Sequence, residues 1–265
     1  MIIRDITDYL EDIAPLRYQE SYDNAGLIVG DHRTEVKAAL FCLDATEAVV
    51  DEAVELGCNL IIAHHPIIFR GLKRLNGYHY TERAVLKAIR NDVAIYAIHT
   101  NLDNVLSSGV NERIAQKIGL QHLQILRANQ DEMTGSGVIG NLSKPMVSID
   151  FISYLIECME LPGLRHTDLV KEQIGKVALC GGSGRFLLED AIQQGADAFI
   201  SSDFKYHEYF EANDRIVIFD IGHYESEKFT IELLFELITG NFSTFAGYCT
   251  KVNTNPINYR YENGR

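Results

Sequence analysis

Positive charge is scarce in this 265-residue chain: 24 Lys and Arg stand against 37 Asp and Glu, a formal net charge of −13. Nonspecific attachment to nucleic acid needs a surplus of cations over phosphate, so nucleic acid is not an expected partner. No apolar stretch approaches the ~20 residues of a membrane span, so no membrane partner is expected either. The opening, Met1-Ile2-Ile3-Arg4-Asp5, lacks the basic, apolar and small-residue order of a signal peptide. Cysteines are few and unpaired in sequence: Cys42, Cys58, Cys158, Cys180 and Cys249 form no CxxC. Buried thiols in a reducing cytoplasm are the expectation, and a thiolate metal site is not. Acidity does not exclude a phosphorylated small-molecule substrate, because bound divalent cations would reverse the local field.

What is present is an alternating pattern of helical and extended stretches, the mark of an α/β fold. With 46% apolar and 23% charged residues the chain suits one large or two modest globular domains. Residues 2–13 read as an amphipathic helix, and 27–29, 38–44, 59–63 and 93–98 as strands. Helices are expected at 46–56, 81–90 and 110–118. A polar break at 128–137 marks the expected boundary between a first lobe, 1–127, and a second, 128–265. The second lobe reads as strands at 138–142, 176–180, 198–201 and 216–219, with an extended stretch near 163–168. Its helices are expected at 147–159, 186–194, 205–212 and 226–239.

The lobes repeat. Laying 37–65 over 175–203 without a gap pairs Cys42 with Cys180, Ala53 with Ala191, Gly57 with Gly195 and Ile62 with Ile200. The shared order of strand, helix, Gly, strand carries more weight than these identities. Two similar α/β lobes with facing strand ends would put one metal site in the cleft between them.

Three strand-like runs deliver ligand-type residues just past their C-terminal ends, the edge where open α/β sheets bind ligands. The run 59–63 ends in His64-His65, the run 93–98 in His99 through Asp103, and the run 215–219 in Asp220-Ile221-Gly222-His223. Successive strand residues point to opposite faces, so His64 and His65 suit two sites or two ions lying side by side. His223 and Glu227 are four apart at the start of a helical pattern and can face one point from its first turn.

Several blocks carry a family resemblance when read in order. They are Tyr22-Asp23-Asn24-Ala25-Gly26-Leu27, His64-His65-Pro66-Ile67-Ile68-Phe69, His99-Thr100-Asn101-Leu102-Asp103, Ser202-Asp203 with Tyr206-His207, and Gly222-His223 with Glu227. Together they resemble the Nif-three-like dinuclear metal centre family, the type 2 GTP cyclohydrolase I homologues. The resemblance implies two α/β domains in a ring-shaped homohexamer, with metal pairs facing an internal cavity. It implies the compact form, without the inserted domain that some members carry mid-chain. Carried over residue by residue, it makes His64, His65, Asp103, His223 and Glu227 the metal ligands. Three imidazoles and two carboxylates suit two divalent ions of the Zn, Fe, Mn, Co or Ni kind. Five side chains leave coordination positions open, as a catalytic site requires.

Other residues keep two readings. His99 is read as orienting a ligand rather than binding metal itself. Asp203 and His207 either face the substrate and the ligands or are ordinary surface groups. Arg70, Lys73 and Arg74 form a basic cluster that either holds an anionic substrate or is a solvated loop. The glycine-rich 181–185 lacks the Lys-Ser/Thr of a P-loop and is either an anion-binding turn or a plain tight turn. Asp23 and Asn24 line a cavity or an interface, and Glu225 is the substitute if Glu227 is not a ligand. Tyr248, Ile257, Tyr259 and Tyr261 are candidate interface residues. The functional expectation is a dinuclear metal-dependent hydrolase, GTP cyclohydrolysis being the activity the family's name suggests. A non-catalytic hexameric scaffold or metal-handling protein is the alternative.

Overall fold

The computed structural model describes residues 1–129 and 134–260. Residues 130–133 of the expected boundary, and Tyr261, lie outside the described residues. In chain order the first elements are α1 (Ile3–Ile13), β1 (Gly26–Val29), β2 (Ala39–Asp44), α2 (Glu47–Glu55), β3 (Leu60–His65), α3 (Tyr80–Arg90), β4 (Ala94–Ala97) and α4 (Thr100–Asp103). Next come α5 (Val110–Ile118), β5 (Gln121–Ala128), β6 (Gly135–Val147), α6 (Ser148–Cys158), β7 (Arg165–His166), β8 (Gln173–Leu179), α7 (Leu188–Gln193), β9 (Ala198–Ser201) and β10 (Val217–Asp220). The last are α8 (His223–Glu227), α9 (Thr230–Asn241) and β11 (Gly247–Cys249).

The mixed α/β fold has two sheets. One runs β1-β4-β3-β2-β11, with β2, β3, β4 and β11 parallel and β1 antiparallel to β4. The other runs β5-β6-β8-β9-β10-β7, with β8, β9 and β10 parallel and β7 antiparallel to β10. The internal repeat is therefore visible in topology: β7-β10-β9-β8 retraces β1-β4-β3-β2. The central strands are buried over their length, as continuous apolar runs in parallel sheets must be. In the first unit Val49, Val50 and Ala53 of α2 pack with Ala84, Val85 and Ala88 of α3 on one face of β2 and β3. In the second, Leu188 and Ala191 of α7 pack with Ala178, Phe199 and Ile218.

The compact units are Met1–Val110 with Lys228–Asn253, and Asn111–Glu227 with the residues from Thr254. This differs from the expected division at 127/128. The described residues of the break at 128–137 belong with the antiparallel pair β5 and β6, inside the second unit. The chain instead changes unit near Val110 and again at Lys228. The second change also splits the helix expected at 226–239: α8 belongs to the second unit, whereas α9 packs on β2, β3 and β11 of the first.

Candidate metal centre

In the first unit the site grows from the C-terminal ends of β2, β3 and β4. His64 and His65 are the last residues of β3, between β4 on one side and β2 on the other. His64, fully buried, donates from Nδ1 to the carbonyl of Ile98 just past β4, at 2.9 Å. His65 donates from Nδ1 to Oδ1 of Asp44, its register partner at the end of β2, at 2.8 Å. The two rings do not diverge to opposite faces; their centroids are 4.9 Å apart. Strand alternation is overridden because each ring is drawn to a partner on its own neighbouring strand. In a neutral ring either bond puts the proton on Nδ1 and the lone pair on Nε2.

His99 completes a cluster of three. Its centroid lies 5.3 Å from that of His64 and 5.4 Å from that of His65, and the three side chains offer ring nitrogens within 4.8 Å of one another. Asp23, with Thr100, fixes it: Asp23 Oδ1 accepts from His99 Nδ1 at 2.8 Å, and Oδ2 accepts from Thr100 N at 3.1 Å and from Thr100 Oγ1. Burial opposes charge on Asp23. The hydrogen bonds and charge of His99, with those of Thr100 and Asn24, outweigh burial and hold its carboxyl down at about 2. Asp23 thus anchors His99. Asp103 ends α4 with Oδ1 3.6 Å from His64 Nε2. Asn101 places that turn, accepting from His99 N at 2.9 Å and donating to Ala14 O at 2.6 Å.

In the second unit His223 and Glu227 face each other across one turn of α8, Nε2 to Oε2 3.1 Å. Asp203, just past β9, accepts from His223 Nδ1 at 2.7 Å. Burial works against a charged His223, but Glu227 and Asp203 prevail and push its pKa up to about 11. A ring between two carboxylates holds a proton at neutral pH. Glu227 is buried with its carboxylate against Gly182: a Cβ built there would lie 2.4 Å from Glu227 Oε1 and 3.2 Å from His223 Nε2. Gly182 has φ +60°, which also favours glycine.

Three amides of the glycine-rich turn already have acceptors within the fold. Gly181 N donates to Asn111 Oδ1, Gly182 N to Ser226 Oγ and Gly184 N to Ser201 Oγ, so these donors serve the fold. His207 is exposed on the turn Tyr206–Ala212, its ring against Tyr206 and Phe210, and of the pair Asp203 and His207 it is Asp203 that reaches His223. Glu225 is buried beside the tail, accepting from Asn255 Nδ2 at 2.8 Å. Asp44 was missed in sequence, and Gly182, part of the glycine-rich 181–185 noted there, serves instead by making room for Glu227. Asp44 is recognisable only once the β2–β3 register sets it opposite His65.

The sequence matches the family model Duf34/NIF3 (NGG1p interacting factor 3) over residues 1–256. The chain belongs to the DUF34/NIF3 family. A Clostridium perfringens relative that carries the name GTP cyclohydrolase 1 type 2 homolog is 35% identical over 231 residues, 86% of this chain and 87% of its own. One from Clostridium acetobutylicum with the same name is 31% identical, over 90% of each chain. The crystal structure of a Staphylococcus aureus protein is similar at TM-score 0.91 and 29% identity, covering 98% of this chain and 99% of that one. A Staphylococcus epidermidis relative aligns over 370 residues, more than the 265 here, so it carries inserted residues that this DUF34/NIF3 chain lacks.

Proposed function

We propose that this chain is a dinuclear metal-binding protein acting as a metal-dependent hydrolase. His64, His65, Asp103, His223 and Glu227 are the proposed ligands of two divalent ions of the Zn, Fe, Mn, Co or Ni class. One observation carries the reading: four histidines, His64, His65, His99 and His223, each commit Nδ1 to an oxygen acceptor. Metal-ligating histidines almost always hold their other nitrogen in this way, which fixes the tautomer and raises ligand basicity. The donor set, neutral nitrogen with carboxylate oxygen and no thiolate, matches borderline cations. When bound, such a pair of ions polarises a substrate oxygen and supplies a nucleophile at neutral pH. The chain's own residues do the rest. Asp44, Asp23 and Asp203 keep their rings oriented, and His99, anchored by Asp23, is the group placed to hold or move a proton at Nε2.

The test couples metal analysis to a substrate panel of GTP, cyclic phosphodiesters and short peptides. Wild type is expected to purify with metal and to turn over at least one class, and His64→Ala to lose turnover and part of its metal. Metal retained with uniform silence across the panel favours the non-catalytic scaffold or metal-handling reading. Undiminished metal in His64→Ala overturns the ligand assignment. The assembly is proposed to be a homohexamer, with exposed Tyr248, Ile257 and Tyr259 as contact material. Light scattering should give six times the single-chain mass; a monomer mass rejects this.

A further inference from the structure

Two features of the first unit have no part in holding metal. The first is an aromatic pair: Tyr22 and Phe69 lie nearly parallel, centroids 6.4 Å apart and planes 19° apart, although 63% and 46% exposed. Apolar rings left in water forgo the stabilisation of burial, and where they gather beside a polar cluster they mark a recognition surface. Phe69 stands directly at the imidazoles, its centroid 5.7 Å from that of His99 in an edge-to-face contact. Both segments are tied down there. Asn24 Nδ2 donates to Ile68 O at 2.7 Å, and Asp23, next to Tyr22, anchors His99. The second feature follows Phe69 in sequence. Arg70, Lys73 and Arg74 are exposed and make no ion pair among the described residues, in a chain whose net charge is −13.

We propose that Tyr22 and Phe69 form a stacking platform for a flat, unsaturated ring of the substrate, while Arg70, Lys73 and Arg74 hold its anionic group. The substrate class is then an anion bearing an aromatic or heteroaromatic ring. This deepens the hydrolase reading and rests on it, because the platform is defined by its contact with His99. Stacking on a protein aromatic accepts any π face, so it selects for the ring and against its absence rather than for one base.

Calorimetric titration of the purified full-length protein with AMP, GMP, phenyl phosphate, ribose 5-phosphate and inorganic phosphate tests it. At least one ring-bearing probe should bind on the order of tenfold more tightly than ribose 5-phosphate, as one stacked ring provides. Phe69→Ala should abolish that preference and Phe69→Tyr keep it, both with wild-type metal content. Changing Arg70, Lys73 and Arg74 together to Gln should weaken every phosphate probe alike and flatten the salt dependence. Equal affinity for ribose 5-phosphate and every ring-bearing probe overturns the proposal. So does a Phe69→Ala protein that keeps the ring preference but loses assembly mass, which would place Phe69 between copies of the chain. Metal analysis of the same samples separates the two readings. Metal-free wild type that still prefers ring-bearing probes refutes the metal centre and leaves the platform standing.

Discussion

At the scale of single residues, the candidate site is a set of imidazoles aimed by hydrogen-bonded oxygens, the Ile98 carbonyl for His64 and a carboxylate each for His65, His99 and His223. Asp44 is the plainest case, since it touches His65 and makes the Nδ1 bond that leaves Nε2 facing the cluster. Asp44→Asn keeps the size and removes the charge, and its amide can offer His65 a donor in place of an acceptor. Metal retention is expected to weaken about 10- to 100-fold, measured by competition with a chromogenic chelator. An unchanged affinity would mean that His65 is not oriented through Asp44. Asp23 makes a different prediction, about acid. Its folded-state pKa is depressed to about 2. The corresponding stability is fully present above the unfolded value near 3.9 and is lost as pH falls through the folded one. Wild type should therefore lose on the order of 2 kcal/mol from this group between about pH 4 and pH 2. Asp23→Asn should be less stable at neutral pH and show a shallower decline over that window in chemical denaturation. Parallel declines would assign the acid sensitivity elsewhere.

At the scale of elements, α8 and the turn after β8 form one device: the turn removes a side chain so that Glu227 can lie against the backbone. Gly182→Ala should strain a left-handed position and drive a methyl group into the Glu227 carboxylate. The expected result is loss of metal together with a fall in thermal midpoint. Gly195→Ala is the control, with φ +71° and nothing within 4 Å of the added carbon. It should lower stability through strain and leave metal content unchanged; equal metal loss in both would sink the argument. The sequence was informative where apolar runs end in ligand-type residues, because β3, β4 and β10 are buried and their termination is abrupt. It was silent where pairing rather than pattern makes the element. β5 is largely exposed, without an apolar run, and forms through its antiparallel pairing with β6. β11 is three residues paired with β2 from far along the chain. The i, i+4 approach of His223 and Glu227 was legible, but the break after Glu227 was not. It arises because α9 packs on the other unit, a tertiary fact that no local periodicity encodes.

At the scale of the molecule, the proposed ligands come from residues 64 to 227, His64, His65 and Asp103 in the first compact unit and His223 and Glu227 in the second, in a chain that changes unit three times. An unfolded chain has no such site, so metal that binds the native state stabilises it by mass action, by about 2.7 kcal/mol at a free concentration one hundred times Kd. For a protein of this size each kcal/mol moves the midpoint by roughly 2–4 °C. Chelation is therefore expected to lower the thermal midpoint of wild type by several degrees, and readdition of Zn or Mn to restore it in a concentration-dependent way. The variant that tests each half separately is the useful comparison. His64→Ala and Glu227→Gln remove donors from different units, so each should blunt the response to chelator, and the double variant should abolish it. Scanning calorimetry on the four proteins, with and without chelator, reads this directly. If Glu227→Gln responds to chelator as wild type does while His64→Ala does not, the metal rests on the first unit's imidazoles, and His223 and Glu227 are a structural ion pair.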